Sequence, residues 1–426
     1  MMQEETKQPE KMRTPLFYGY IIVALIFIIQ MIMAGSSVTF GVFFKPMINE
    51  FGWSRALISG AVSFSRILSG FSSIVMGGLN DRIGPRAVIT LCGFLLGSGL
   101  LLMSLTNTVW QLYLFYILLV GLGMGGVVAP QFSTVARWFT RRRNLMTGII
   151  FAGGSLGALI LTPVANWLIS TTGWRNSFMV LGAVALVIIV LCAQFLKGQP
   201  GKIGQTPYNA VTKPEEQEHK PNLNVGEFTL KEAIYTRPFW IVIIMAFCNS
   251  FCLGTIMVHI VPHAIDLGIS AAAAANILAV LSAGLLTGSL MMGINADRIG
   301  VLKAFVICFI PMLAVLFLLL PLTEAWMIGL LMFIMAWGNG GGSALVSNMY
   351  AELFGMRSHG LIVGFNTLVS ALGGAVGPFI AGYVFDKNGS YQIAFILCGA
   401  LIAAGIAIAP LMRPITQKDN RIASRI

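Results

Sequence analysis

The sequence predicts an all-α membrane protein, with twelve transmembrane helices in two pseudo-symmetric six-helix bundles. Three observations carry that reading. Of 426 residues, 57% are hydrophobic and only 10% are charged, against roughly a quarter charged in an ordinary soluble protein. That leaves too little polar side chain to cover a water-facing surface, and too much apolar surface for a disordered chain. The apolar residues gather into twelve runs of about the 20 residues that a ~30 Å bilayer core requires. A loop pattern after the second run recurs after the eighth, 216 residues later. The 47 glycines fit the same class, because glycine is enriched in membrane helices.

The first six runs span 17–44, 56–79, 87–105, 109–136, 145–169 and 176–196. The first is too long for a cleaved signal peptide, and no small-residue cleavage site follows it. Gly121-Leu-Gly-Met-Gly-Gly126 in the fourth would break a soluble helix; in lipid such residues let neighbouring helices approach closely. Lys197 to Arg237 is polar and carries Pro200, Pro207, Pro214 and Pro221. It reads as the one linker and divides the chain into a bundle at 1–196, a linker at 197–237 and a second bundle with a short tail at 238–426. Within it, Thr229-Leu-Lys-Glu-Ala predicts a short surface helix. The last six runs span 238–262, 271–294, 302–321, 326–350, 360–384 and 391–412. The six cysteines all lie inside apolar runs, so neither a disulfide framework nor a zinc site is expected. Cys248 and Cys252, one helical turn apart, read as small packing residues.

Lysine and arginine set the expected orientation. With the N-terminus, linker and C-terminal tail on the cytoplasmic side, 22 of the 27 basic residues fall there. Lys45, Arg55, Arg175 and Lys387 fall outside, and Arg66 lies within a span. The net charge of +11 is therefore read as topology, with the lipid bilayer as partner and no nucleic acid. The expected location is the cell's inner (plasma) membrane.

The two bundles repeat. Gly77-Gly-Leu-Asn-Asp81-Arg82-Ile-Gly84 follows span two, and Gly293-Ile-Asn-Ala-Asp297-Arg298-Ile-Gly300 follows span eight. Gly148 with Gly364, Gly157 with Gly373, and Gly173 with Gly389 share the offset. Parallel repeats of six helices are a transporter architecture, with substrate held between the halves near the midplane. The stretch Gly77 to Arg86 resembles the loop motif of the major facilitator superfamily, with a partial copy at Gly293 to Arg298. Phe17-Tyr-Gly-Tyr20, Gly41-Val-Phe-Phe-Lys-Pro46 and Glu50-Phe-Gly-Trp-Ser-Arg55 are similar to bacterial monocarboxylate porters, including oxalate/formate antiporter-like proteins. The resemblance covers essentially the whole chain. It implies the major facilitator fold in a monomer, with spans one, four, seven and ten facing the cavity. It also implies a conformational latch built on Gly77, Asp81, Arg82, Gly84, Arg86, Arg137, Asp297 and Arg298. On its own terms, Asp81 sits at a tight turn, where it can pair with Arg137 or face a helix N-terminus. One departure stands out: members that carry carboxylates usually place an arginine in span eight, and here that span carries no charge from Ala271 to Ile294.

Charge inside hydrocarbon is costly and marks functional sites. Arg66 is the clear case, about ten residues or ~15 Å into span two, flanked by Ser63, Ser65, Ser69 and Gly70. It reads as an anchor for an organic anion, since guanidinium bonds carboxylate bidentately, or as an arginine satisfied by backbone carbonyls. No acidic residue sits mid-span. Gln30, Gln131, Asn249, Asn339 and Asn366 are the polar candidates to touch substrate; each is otherwise a packing contact between helices. His259 and His263 share one helix face. His259 is a candidate for proton coupling or an interfacial residue at the rim. No metal site and no cofactor are expected, and no nucleophile–base constellation points to an enzyme.

The expected function is a secondary active transporter of a small organic anion, a monocarboxylate, by alternating access, proton-coupled or exchanging. An exporter of amphipathic or neutral small molecules is the alternative. A non-transporting membrane sensor is a second alternative, which would call for a signalling domain or a long tail after Arg413.

Overall fold

The computed structural model describes residues 17–126, 128–206 and 227–412. The expectations for the N-terminus, most of the linker and the C-terminal tail lie outside these residues. Twelve helices are long and apolar enough to cross a membrane: Tyr18–Phe51, Leu57–Ile83, Pro85–Met103, Val109–Trp138, Arg143–Thr172 and Trp174–Gln194, then Arg237–Asp266, Asn276–Ile299, Val301–Leu318, Ala325–Phe354, His359–Asn388 and Gln392–Leu411. They are numbered here as spans one to twelve. Several outrun their apolar cores by a turn or two because capped polar residues continue the helix. Leu57 N–H donates to Ser54 Oγ and Ala273 N–H to Ser270 Oγ, satisfying donors that a helix start leaves open. Asp81 and Asp297 therefore lie in the last turn of a helix, and the tight turn belongs to Gly84 and Gly300. Their φ of 89° and 91° is open to glycine and strained for other residues.

Buried side chains form two clusters, one running from Ile22 to Leu196 and the other drawn almost wholly from Phe228 to Ala409. Within each half, glycines set the helix spacing. A Cβ at Gly157 of span five would fall 2.0 Å from the Met31 carbonyl oxygen of span one, and one at Gly373 of span eleven 2.7 Å from that of Phe247 in span seven. Lipid gives no hydrophobic drive for helices to pair, so close backbone approach supplies the dispersion that does. Span four departs from regular α-helix between Tyr113 and Gly126. The short helix Leu230–Ile234 forms in the linker as the sequence predicts, with Thr229 and Glu232 capping each other. The Thr229 backbone N–H, donating to the Glu232 carboxylate, holds that carboxyl below its ordinary value. The preceding Phe228 packs on Phe354 and donates its N–H to the Phe354 carbonyl. This ties the linker to the end of span ten.

Candidate functional site

The halves meet along two seams, span two against span eleven and span five against span eight. A Cβ at Gly77 would lie 2.1 Å from Gly360 O, one at Gly364 2.4 Å from Ser73 O, and one at Gly148 2.3 Å from Ser289 O. All these contacts fall in the part of each span nearer the linker. The seams are pinned by two carboxylates on the helix N-termini across from them. Gly360 and Leu361 N–H each donate to Asp81 at 3.2 Å, and Arg137 closes an ion pair with the same carboxylate. Asn144 N–H, its side-chain amide and Leu145 N–H donate to Asp297 at 3.3, 3.0 and 3.2 Å. Open N–H groups and the helix dipole make these N-termini favourable places for negative charge. The two caps are related by the sequence offset: 81 and 297, 144 and 360, and 145 and 361 all differ by 216.

Other residues at the seam go beyond those the sequence singles out. Asn348 of span ten reaches across to Asn144 Oδ1 and Thr147 Oγ1 of span five, 2.7 Å each. His359 is fully buried behind Gly360, and its Nε2–H donates to Ser347 O at 2.8 Å. The repeat offset was the available signal, since it maps Asn144 onto Gly360 and Arg143 onto His359.

The remaining expected latch residues divide. Gly77 is at the closest approach of spans two and eleven, and Gly84 makes the turn. Arg86 donates to Gln194 within its own half at 3.0 Å, stapling span three to span six. Arg82 and Arg298 are exposed and make no ion pair among the described residues.

Beyond the closed seam lies a cavity of about 160 Å³, room for roughly five waters at ~30 Å³ each. Its wall on the second half carries Asn249 and Ser250 of span seven, Ser343 of span ten, and Asn366 and Ser370 of span eleven. The first half contributes Val128, Phe132 and Phe151, from spans four and five. No charged side chain lines it among the described residues.

Of the expected substrate contacts, Asn249 and Asn366 therefore line one wall together. Asn339 stands behind Asn249, donating to its Oδ1 at 2.9 Å. Gln30 and Gln131 are buried within the first half, and Gln131 donates to Gly126 O at 3.0 Å. His259 bonds the Pro378 carbonyl at 2.9 Å and packs on Tyr391, away from the cavity wall. Arg66 is exposed and outside the cavity lining. At 3.6 residues per turn it shares a helix face with Gly70, Ser73 and Gly77 to within roughly 40°. Gly70 touches Leu368 of span eleven, its Cβ position 3.0 Å away. Arg66 thus stands one turn beyond that contact, on the face turned toward the other half.

Twelve spans in two repeated halves, joined along two seams by reciprocal helix caps beside a small cavity, define a membrane transporter. The chain belongs to the major facilitator superfamily, whose profile matches residues 26–265 and 239–425. It is similar to monocarboxylate transporter 13 of Bos taurus, 27% identical over 400 residues, covering 92% of this chain and 88% of that one. It is also similar to monocarboxylate transporter 11 of Homo sapiens, 28% identical over 410 residues, covering 91% and 81%. Among solved structures, the proton:xylose symporter bound to 6-bromo-6-deoxy-D-glucose superposes with a TM-score of 0.74 at 14% identity, covering 92% of this chain and 95% of that one. The fucose:proton symporter of E. coli gives 0.71 at 14%, covering 94% and 99%. At these identities the structures share the fold.

Proposed function

We propose that the protein moves a small organic anion, a monocarboxylate, across the cell's inner membrane by alternating access, coupled to protons or to a counter-anion. The linker side is cytoplasmic, and the conformation described faces outward, with its cytoplasmic gate shut. The observation that carries the reading is Arg66. It is a mid-span cation with no carboxylate partner among the described residues, exposed between the halves just beyond their last tight contact. A cation at that depth, facing the gap between the halves, marks a substrate or ion path, and a passing carboxylate is its matching partner. The names of the relatives point the same way. A single arginine also suits turnover, because the anion must leave again.

Uptake of labelled acetate, pyruvate, lactate and phenylacetate into proteoliposomes, with and without a pH gradient, tests this. Arg66→Gln abolishes carboxylate transport in folded protein. Arg66→Lys weakens it, since lysine keeps the charge and loses the planar fork. Normal carboxylate transport by Arg66→Gln would overturn the assignment. The uncharged cavity wall then favours the second reading, an exporter of neutral or amphipathic molecules, which a panel of such compounds would reveal.

A further inference from the structure

The hydrogen-bonding groups of the cavity wall fall into two sets. The first is satisfied within the protein. Asn339 Nδ2 donates to Asn249 Oδ1, Asn249 Nδ2 to Ser343 Oγ at 3.4 Å, and the Ser343 hydroxyl to Asn339 Oδ1 at 3.5 Å, closing a ring. Thr367 donates to Val363 O at 2.9 Å, and Ser347 Oγ lies 3.4 Å from His359 Nε2.

The second set is Ser250 Oγ, Ser370 Oγ and Asn366 Nδ2. Helical serines commonly donate back to a carbonyl three or four residues earlier, as Ser282 does to Leu278. Ser250 and Ser370 make no hydrogen bond among the described residues, yet both line the cavity. Asn366 is aimed by its neighbour: Tyr350 Oη lies 3.0 Å from Asn366 Oδ1 and is fully buried. No other acceptor meets that hydroxyl among the described residues, so it donates to Oδ1 and turns Nδ2 the other way. Nδ2 has no protein partner and is not among the sealed, unpartnered polar atoms. It therefore opens on the cavity that Asn366 lines. Ser370 is one turn beyond Asn366 on the same face, and Ser250 faces them from span seven.

Asn366 Nδ2 can only donate, and the free Ser250 and Ser370 hydroxyls, which either donate or accept, can turn their O–H bonds the same way; together they suit an anion with several lone pairs. Carboxylates stay ionised without a cation when two or three such donors meet them. The facing wall, Val128, Phe132 and Phe151, suits an apolar body of a few carbons in a cavity of about 160 Å³. We infer that Ser250, Asn366 and Ser370 form a neutral cradle for the substrate carboxylate, with Tyr350 the positioning residue that aims Asn366. This rests on the proposed carboxylate transport and deepens it. Arg66, outside the cavity, gathers the anion at the opening, and the cradle holds it in place of an arginine in span eight. A cradle without fixed charge also lets the anion leave when the gate opens.

The test is uptake kinetics in proteoliposomes with whichever of acetate, pyruvate, lactate and phenylacetate the wild type carries. Ser250→Ala and Ser370→Ala each raise KM roughly ten- to hundredfold and leave Vmax within about twofold, the cost of one charge-assisted hydrogen bond. Asn366→Asp, which replaces a donor by a like charge, removes saturable uptake. Tyr350→Phe raises KM about as far as Asn366→Ala does and adds nothing in the Asn366→Ala background, which a packing role would not reproduce. Unchanged KM in both serine variants, or an equal Tyr350→Phe effect in both backgrounds, overturns the cradle and leaves the transport reading standing. A wild type that carries none of the four acids overturns both. Should Asn366→Asp fail to reach the membrane, the serine variants and the tyrosine pair decide.

Discussion

Replacing Asp81 by asparagine should open the linker-side gate, and the size of the effect can be worked from its contacts. The ion pair with Arg137 joins spans two and four of the same half, so it survives opening and drops out of the difference. What opening breaks is the pair of bonds from Gly360 and Leu361 N–H, 3.2 Å each, and the charge–dipole contact with span eleven. Hydrogen bonds to a charged group are worth about 1.5–3 kcal/mol each, and neutral ones about 1. The dipole term adds about 0.5–1 kcal/mol. Asparagine keeps one neutral bond of about 1 kcal/mol, so the closed state loses about 2.5–6 kcal/mol, a shift of at least roughly 70-fold toward the open one. A direct readout is a single cysteine at Ser289, which is fully buried in the seam against Gly148. In the Asp81→Asn background an impermeant maleimide supplied from the linker side should label it faster by about that factor. Transport should slow while KM stays within about twofold, because the cap touches no substrate. Equal labelling in folded Asp81→Asn and parent protein would refute the reasoning and leave Asp81 a helix-end residue.

Asp297→Asn should act in the same direction, since it weakens three donor contacts to span five. The double variant should label faster than either single, because the two caps share no partner; labelling no faster than the stronger single would show one gate contact and not two. Gly77→Ala should leave twelve folded spans but prevent closure, since its Cβ would lie 2.1 Å from Gly360 O. Loss of transport with rapid Ser289→Cys labelling is the expected result, and parent-like closure would contradict the seam. Thr206→Cys, exposed at the start of the linker, should resist an impermeant thiol reagent added outside intact cells; ready labelling would reverse the proposed orientation.

Hydropathy and run length alone located the twelve spans, because a bilayer core admits only helices of about that length and apolarity. The D-R-x-G repeat located the two carboxylates of the gate. It also held their pairing in latent form, since one offset relates each aspartate to its counterpart and each capped helix start to its own. What the sequence could not display is which polar residues share a wall. In a soluble helix the buried face is read from its apolar stripe; in lipid the bundle interior and the surroundings are both apolar, and that stripe vanishes. Gln30, Gln131, Asn339 and Asn366 therefore look alike along the chain, and only packing separates Asn366 on the cavity wall from Asn339 behind it and Gln131 within its own half. The gate is decided the same way. Asp81 lies 279 residues from Gly360, and Asn348 lies 204 from Asn144. Contacts across such separations exist only once two complete bundles have folded and met along their glycine seams, so they belong to the tertiary structure and leave no local trace in the chain.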